Sequence, residues 1–363
     1  MRRLQTPVVW SGASFAIASA LLFGAATPLA KLLLGRGVDA WLLAGLLYLG
    51  SGIGLALVRL ARGILGLRSN ETPLRRTDVP RLLLVLLFGG VLGPLLLMLG
   101  LAVTPAASAS LLLNLEGLAT MAIAWIVFRE NVDRRLLAGA AAILGGAVLL
   151  SWSGPASFGF GALAIAGACL AWGIDNNLTR GLSAADPIEI AMIKGLAAGS
   201  VNVALALLNG AHLPDAAALG GGAVIGFFGY GVSLVLFMLG LRHLGTARTG
   251  AYFSTAPFVG AALAVILFHE PVTTPLIAAG ALMAAGLYLH LAERHEHEHG
   301  HDAMAHAHRH AHDAHHQHRH DAGDPPGEPH AHWHEHAPQV HRHAHMPDIH
   351  HRHDHERVGP DKT

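Results

Sequence analysis

The sequence predicts an all-α integral membrane protein of ten transmembrane helices, arranged as two inverted five-helix repeats and followed by a disordered histidine-rich tail. Three observations predict it: ten apolar stretches of roughly membrane length before Arg294, a loop-charge alternation that holds through all nine connections, and an echo between the two halves of that region. Whole-chain averages of 52% hydrophobic and 13% charged residues hide the division, because the apolar runs all lie before Arg294 and none lies after it. The expected organisation is a first repeat over 1–153, a second over 154–293 and a tail over 294–363.

About 20 apolar residues cross about 30 Å of hydrocarbon at 1.5 Å per residue. Segments 9–34, 40–61, 81–102, 106–128, 135–152, 159–180, 187–208, 219–241, 247–268 and 274–292 meet or approach that length. The first could be mistaken for a secretory signal, since Arg2 and Arg3 precede it and Ala25 and Ala26 are small. Its apolar run from Val8 to Leu34 is too long for that, so it is expected to be a spanning helix. Pro28 in the first span, Pro94 in the third and Pro257 in the ninth remove backbone donors and are expected to bend their helices. Cys169 in the sixth span is the single cysteine, so neither a disulfide nor a thiolate metal site can form within one chain. Trp10, Trp41, Trp125 and Trp152 fall near span ends, where headgroup anchoring accounts for them.

Arg and Lys mark cytoplasmic loops. With the N-terminus inside, the cytoplasm receives Arg59, Arg62, Arg68, Arg75, Arg76, Arg129, Arg134, Arg135, Arg180 and Arg242, while the outside receives only Lys31 and Arg36. Both termini are then cytoplasmic, in a bacterial-type inner membrane, with the lipid bilayer as the chain's first partner.

Phe128-Arg129-Glu130 at the end of the fourth span corresponds to Phe268-His269-Glu270 at the end of the ninth, and the same offset aligns Gly146 with Gly286. Gly24 to Lys31 likewise parallels Gly173 to Arg180. Five spans per copy is an odd number, so the second copy enters from the opposite face, and two such bundles rocking around a midplane site can expose it to each side in turn. These features resemble EamA-like members of the drug/metabolite transporter superfamily over about residues 10–292. The resemblance implies ten helices, cytoplasmic termini and movement of small organic solutes through a central cavity. Glu130 and Glu270 match the family's Glu at the ends of spans four and nine. A structural helix-end role is expected for them, with Arg134 within reach of Glu130.

Ionisable side chains in spanning helices are functional candidates by default. Glu116, Asp175 and Lys194 stand out. Helix rise puts Asp175 and Lys194 at roughly 8–10 Å depth, where they can pair, and Glu116 at about 18 Å, near the midplane, with no basic neighbour. Glu116 is therefore the better proton carrier of the three or else faces a polar cavity without carrying protons, and Asp175 with Lys194 is either a coupling pair or a structural one. Asn114, Asn176, Asn177 and Thr255 complete the expected substrate and coupling set, the run Asp175-Asn176-Asn177 being too polar to face lipid along its whole width.

The tail holds 23 of the 27 histidines. Its low apolar content predicts disorder, and closely spaced imidazoles chelate Zn, Ni, Co or Cu without a preformed cage. The expected ligands are His295, His297, His299, His301, His306, His308, His310 and His312. No cofactor is required. No Ser/His/Asp set, phosphate loop or zinc-protease helix argues for an enzyme, and no nucleic-acid partner is expected. The expected function is secondary transport, in the export direction, of small organic metabolites or drugs, with proton coupling. Transport of a divalent transition metal, or a membrane-anchored metal buffer, is the alternative, and monomer and homodimer both stay open.

Overall fold

In the computed structural model, residues 6–66, 74, 76–128, 134–151, 159–179, 186–244, 246–291, 295–301, 304–310, 330–336 and 339–345 are described. The described residues up to Leu291 form one compact helical unit. Its elements run α1 (Thr6–Gly35), α2 (Ala40–Ile64), α3 (Val79–Val85), α4 (Gly93–Val103), α5 (Ala106–Leu112), α6 (Leu115–Phe128), α7 (Arg134–Ser151), α8 (Phe160–Thr179), α9 (Pro187–Leu208), α10 (Ala216–Ile225), α11 (Ser233–Leu244), α12 (Thr246–Phe253), α13 (Ala256–Phe268) and α14 (Thr274–Leu291). Taken with their interruptions, these fill the ten expected spans.

Seven of the spans are long and apolar enough to cross a bilayer by length and composition alone, and Ala256–Phe268 and Thr274–Leu289 are shorter apolar helices. The polar run Asp175-Asn176-Asn177 at the end of α8 dilutes that helix's apolar character. Lipid-facing surfaces carry exposed Leu21, Leu57, Ile126 and Leu163, as a helix dissolved in hydrocarbon requires.

Four spans are not continuous α-helices. A π turn at Leu86–Leu92 joins α3 to α4, and a second at Gly226–Val232 joins α10 to α11, 140 residues later at both ends. Single turns at Leu113–Asn114 and Ser254–Thr255 break the helix and separate α5 from α6 and α12 from α13. Pro94 and Pro257 sit in the first turns of α4 and α13, where a missing donor is harmless, and Pro28 lies inside α1. The span over 106–128 is therefore two helices, with Asn114 at the break between them and Glu116 in the first turn of α6.

The two halves interleave. The first helix α1 packs on α11 and α13, and its counterpart α8 packs on α4 and α6. Helices α7 and α14 cross where a Cβ on Gly146 would lie 2.9 Å from the Ala279 carbonyl oxygen and one on Gly286 would lie 2.5 Å from that of Gly139. Each contact is the other shifted by 140 residues, and both permit the close helix approach that packing in lipid relies on.

The tail is a separate unit with two two-stranded antiparallel ladders, β1 (His295–His301) with β4 (Gln339–His345) and β2 (Met304–His310) with β3 (His330–His336). In this segment, expected to be disordered, the ladders are backbone pairing. Its source is the alternation of His with other residues, whose period of two matches a strand and sets His295 opposite His345 and His306 opposite His334. Two strands alone are marginal in water, so no core follows from the pairing.

Candidate functional site

The π turn at Leu86–Leu92 shifts the hydrogen-bond register, with the Gly93 N–H reaching back to the Phe88 carbonyl. The next two carbonyls receive side-chain donors. Gly89 O accepts from Tyr48 Oη at 2.7 Å and from Trp172 Nε1 at 3.0 Å. Gly90 O accepts from Asn202 Nδ2 at 3.0 Å, and Asn202 Oδ1 accepts from Trp41 Nε1 at 3.2 Å. Trp41, expected as a headgroup anchor, is tied into this network through its indole N–H.

Directly beside the turn, Lys194 and Asp175 form a buried ion pair with side chains 11% and 6% exposed. Thr179 Oγ1 donates to the other carboxylate oxygen, Asp175 Oδ1, at 3.1 Å. A Cβ at position 89 would collide with the Asp175 carboxylate and lie 2.6 Å from Lys194 Nζ, so glycine is what lets the pair close over the turn.

A second polar group lies on the facing surfaces of α6 and α8. Asn176 Nδ2 donates to Glu116 Oε1 at 3.0 Å and to Thr120 Oγ1 at 3.2 Å. Asn177 Nδ2 donates to Thr120 O at 3.0 Å and to Gly173 O at 2.8 Å, while its buried Oδ1 has no partner among the described residues. Asn176 is exposed and Glu116 half-buried, whereas Asp175 and Asn177 are buried. Asp175 and Asn176 are consecutive on α8, which sets the two polar groups side by side.

Rings from both halves complete the surroundings. Phe23 meets Tyr230 edge-on at 5.8 Å between centroids and Trp172 at 6.4 Å, and Tyr48 lies 5.5 Å from Tyr230. The structure therefore brings together Glu116, Asp175, Lys194, Asn176 and Asn177. It leaves out Asn114, which donates to Leu111 O at 2.8 Å and Met283 Sδ at 3.8 Å, and Thr255, exposed and donating to Tyr252 O at 2.7 Å. Sequence reasoning missed Tyr48, Gly89, Gly90, Trp172 and Tyr230; the Gly pair inside an apolar span was the available signal. In the tail, His295, His297, His299, His301, His306, His308 and His310 fall on β1 and β2, and His312 lies outside the described residues. No group of three potential metal ligands occurs among the described residues searched.

The family model of EamA-like transporters matches twice, over residues 10–152 and 159–292. An uncharacterised transporter from Methanothermobacter thermautotrophicus is 29% identical over 310 residues, covering 80% of this chain and 87% of the relative. A solved crystal structure matches with a TM-score of 0.56 at 21% identity, over 77% of this chain and 96% of that one, a likeness of fold.

Proposed function

Since the chain belongs to the EamA-like transporter family and is a multi-pass membrane protein, we propose that it exports small organic solutes across a bacterial-type inner membrane. The movement is driven by protons exchanged at Glu116, with both termini in the cytoplasm. The carrying observation is the contrast between the carboxylates: Asp175 is buried against Lys194, whereas Glu116 has a neutral amide partner and an exposed Asn176 beside it. A polar side chain exposed at membrane depth is tolerated where it borders a water-filled cavity. A carboxylate there can take a proton from one face and release it to the other, while a carboxylate locked to an ammonium cannot.

The transport cycle uses the paired architecture. Helix interruptions recurring 140 residues apart, and first helices exchanged between halves, supply two similar bundles that rock as an inverted pair around the Glu116 region. Asp175 with Lys194 braces the π turn, and Tyr48, Trp172 and Tyr230 wall the site. The unpaired Asn177 Oδ1 is an acceptor for water or for a donor group on the solute.

The tail histidines favour a second role, chelation of Zn, Ni, Co or Cu as a cytoplasmic buffer or regulator, or delivery of such a metal as cargo. Truncation after Glu293 separates these: flux of an organic solute in proteoliposomes survives it, and the second reading gains ground if only metal flux is found and truncation abolishes it. The site itself is tested by Glu116→Gln, which is expected to cut proton-driven flux by about tenfold or more, a change of at least ~1.4 kcal/mol. Unchanged flux removes Glu116 from the mechanism.

A further inference from the structure

Histidine in the tail keeps a register as well as a spacing. Along β1 and β4, His295 stands opposite His345, His297 opposite His343 and His299 opposite His341. Along β2 and β3, His306 stands opposite His334, His308 opposite His332 and His310 opposite His330. The rungs between these hold no histidine; in the first ladder they are Glu296 with Ala344 and Glu298 with Arg342. Positions two apart on a strand share a face, so each ladder gathers its three histidine pairs on one face.

This order goes beyond an abundance of histidine. β2 begins three residues after β1 ends and β4 begins three residues after β3 ends, so one antiparallel register runs through both ladders. A flexible chelator needs only histidines close in sequence, such as His295 and His297, and gains nothing from matched positions on a distant strand. Two strands without a packed face are marginal in water, and bringing β1 to β4 costs loop-closure entropy, so the ladders need a further source of stability. Opposed Cβ positions in a ladder lie about 5 Å apart, a span that two imidazoles close on one ion at about 2 Å per metal–nitrogen bond. Because separated strands do not hold two such ligands together, metal bound to an opposed pair contributes its binding free energy to strand pairing.

We propose that each opposed histidine pair is a binding site for one divalent transition-metal ion, and that the metal fastens the strands into ladders. Neutral imidazole favours Zn, Ni, Co or Cu over Mg or Ca. Two protein ligands leave the other coordination positions to water, so the bound ions exchange, unlike those of a closed four-ligand structural site. Exchangeable ions suit a segment that loads and releases metal. The inference rests on the chelation reading of the tail given above, and adds to it which histidines act together and what binding does to the chain.

A double-variant comparison on the full-length chain in detergent tests it, with zinc bound per chain read by calorimetric titration. His297→Ala and His343→Ala are each expected to lose one zinc, and the two combined still one, because both belong to one rung. His297→Ala combined with His332→Ala, from different ladders, is expected to lose two. Losses that follow the number of histidines removed, whichever rungs they come from, overturn the pairing and leave chelation standing. If the full-length chain binds no zinc, the chelation reading itself fails and the pairing with it. Amide hydrogen exchange gives a second readout. Zinc at about ten times its dissociation constant is expected to slow exchange in β1 and β4 together by about tenfold, while magnesium changes neither strand. Protection of one strand without the other, or of neither, overturns the metal-fastened ladder.

Discussion

Asp175 and Lys194 occupy the most enclosed charged positions described, and their value depends on each other. Burying one charge without its partner costs several kcal/mol, while an apolar replacement of the whole pair is close to neutral. Asp175→Asn alone is therefore expected to destabilise the folded bundle by about 3–5 kcal/mol, and Asp175→Asn with Lys194→Met to recover most of it, measured as unfolding midpoints in detergent. Failure of the double variant to recover would mean that the charges serve something besides each other. This pair was legible in the sequence because helix rise gave both residues the same depth. Trp41 was not, since its position near a span end fits a headgroup anchor equally well, and only the fold brings Asn202 to its indole. Asn114 and Thr255 lie at helix breaks and bond carbonyls three residues back, which residue type alone does not reveal.

Among the elements, the two π turns and the two helix breaks matter most, because they free backbone groups inside spans that composition presents as unbroken. A register shift in hydrogen bonding changes no residue type, so Leu86–Leu92 reads as ordinary apolar helix until Tyr48, Trp172 and Asn202 are seen bonding its carbonyls. Gly89→Ala is expected to force the Asp175–Lys194 pair away from the turn, cost about 1–3 kcal/mol and lower flux. Gly145→Ala, whose Cβ would meet nothing within 4 Å, is expected to be neutral or to stabilise by up to ~1 kcal/mol in the same melting assay. Equal losses at both positions would contradict the packing argument. Glu270 was visible as a residue and invisible as a contact, because its partners are the main-chain amides of Ala106 and Ala107, a group that every residue but proline carries.

For the whole molecule, the ten spans and the two-copy organisation were readable because hydropathy and a fixed offset are properties of sequence itself, and the family match over 10–152 and 159–292 agrees with both. The exchange of first helices was not readable, since nothing in α1 or α8 states which half it packs against. The tail adds a separable property. Truncation after Glu293 is expected to remove most zinc bound per chain in a calorimetric titration while leaving the bundle's melting unchanged, and retention of the bound zinc would place the metal in the helices. The central claim, that this transporter moves solute against protons exchanged at Glu116, is tested most directly by proteoliposomes loaded with a pH-sensitive dye and screened with a panel of small organic solutes. The expected result is solute-dependent proton movement in the intact chain and in the tail-truncated chain, and its loss in Glu116→Gln. Proton movement of the same size in Glu116→Gln would contradict it.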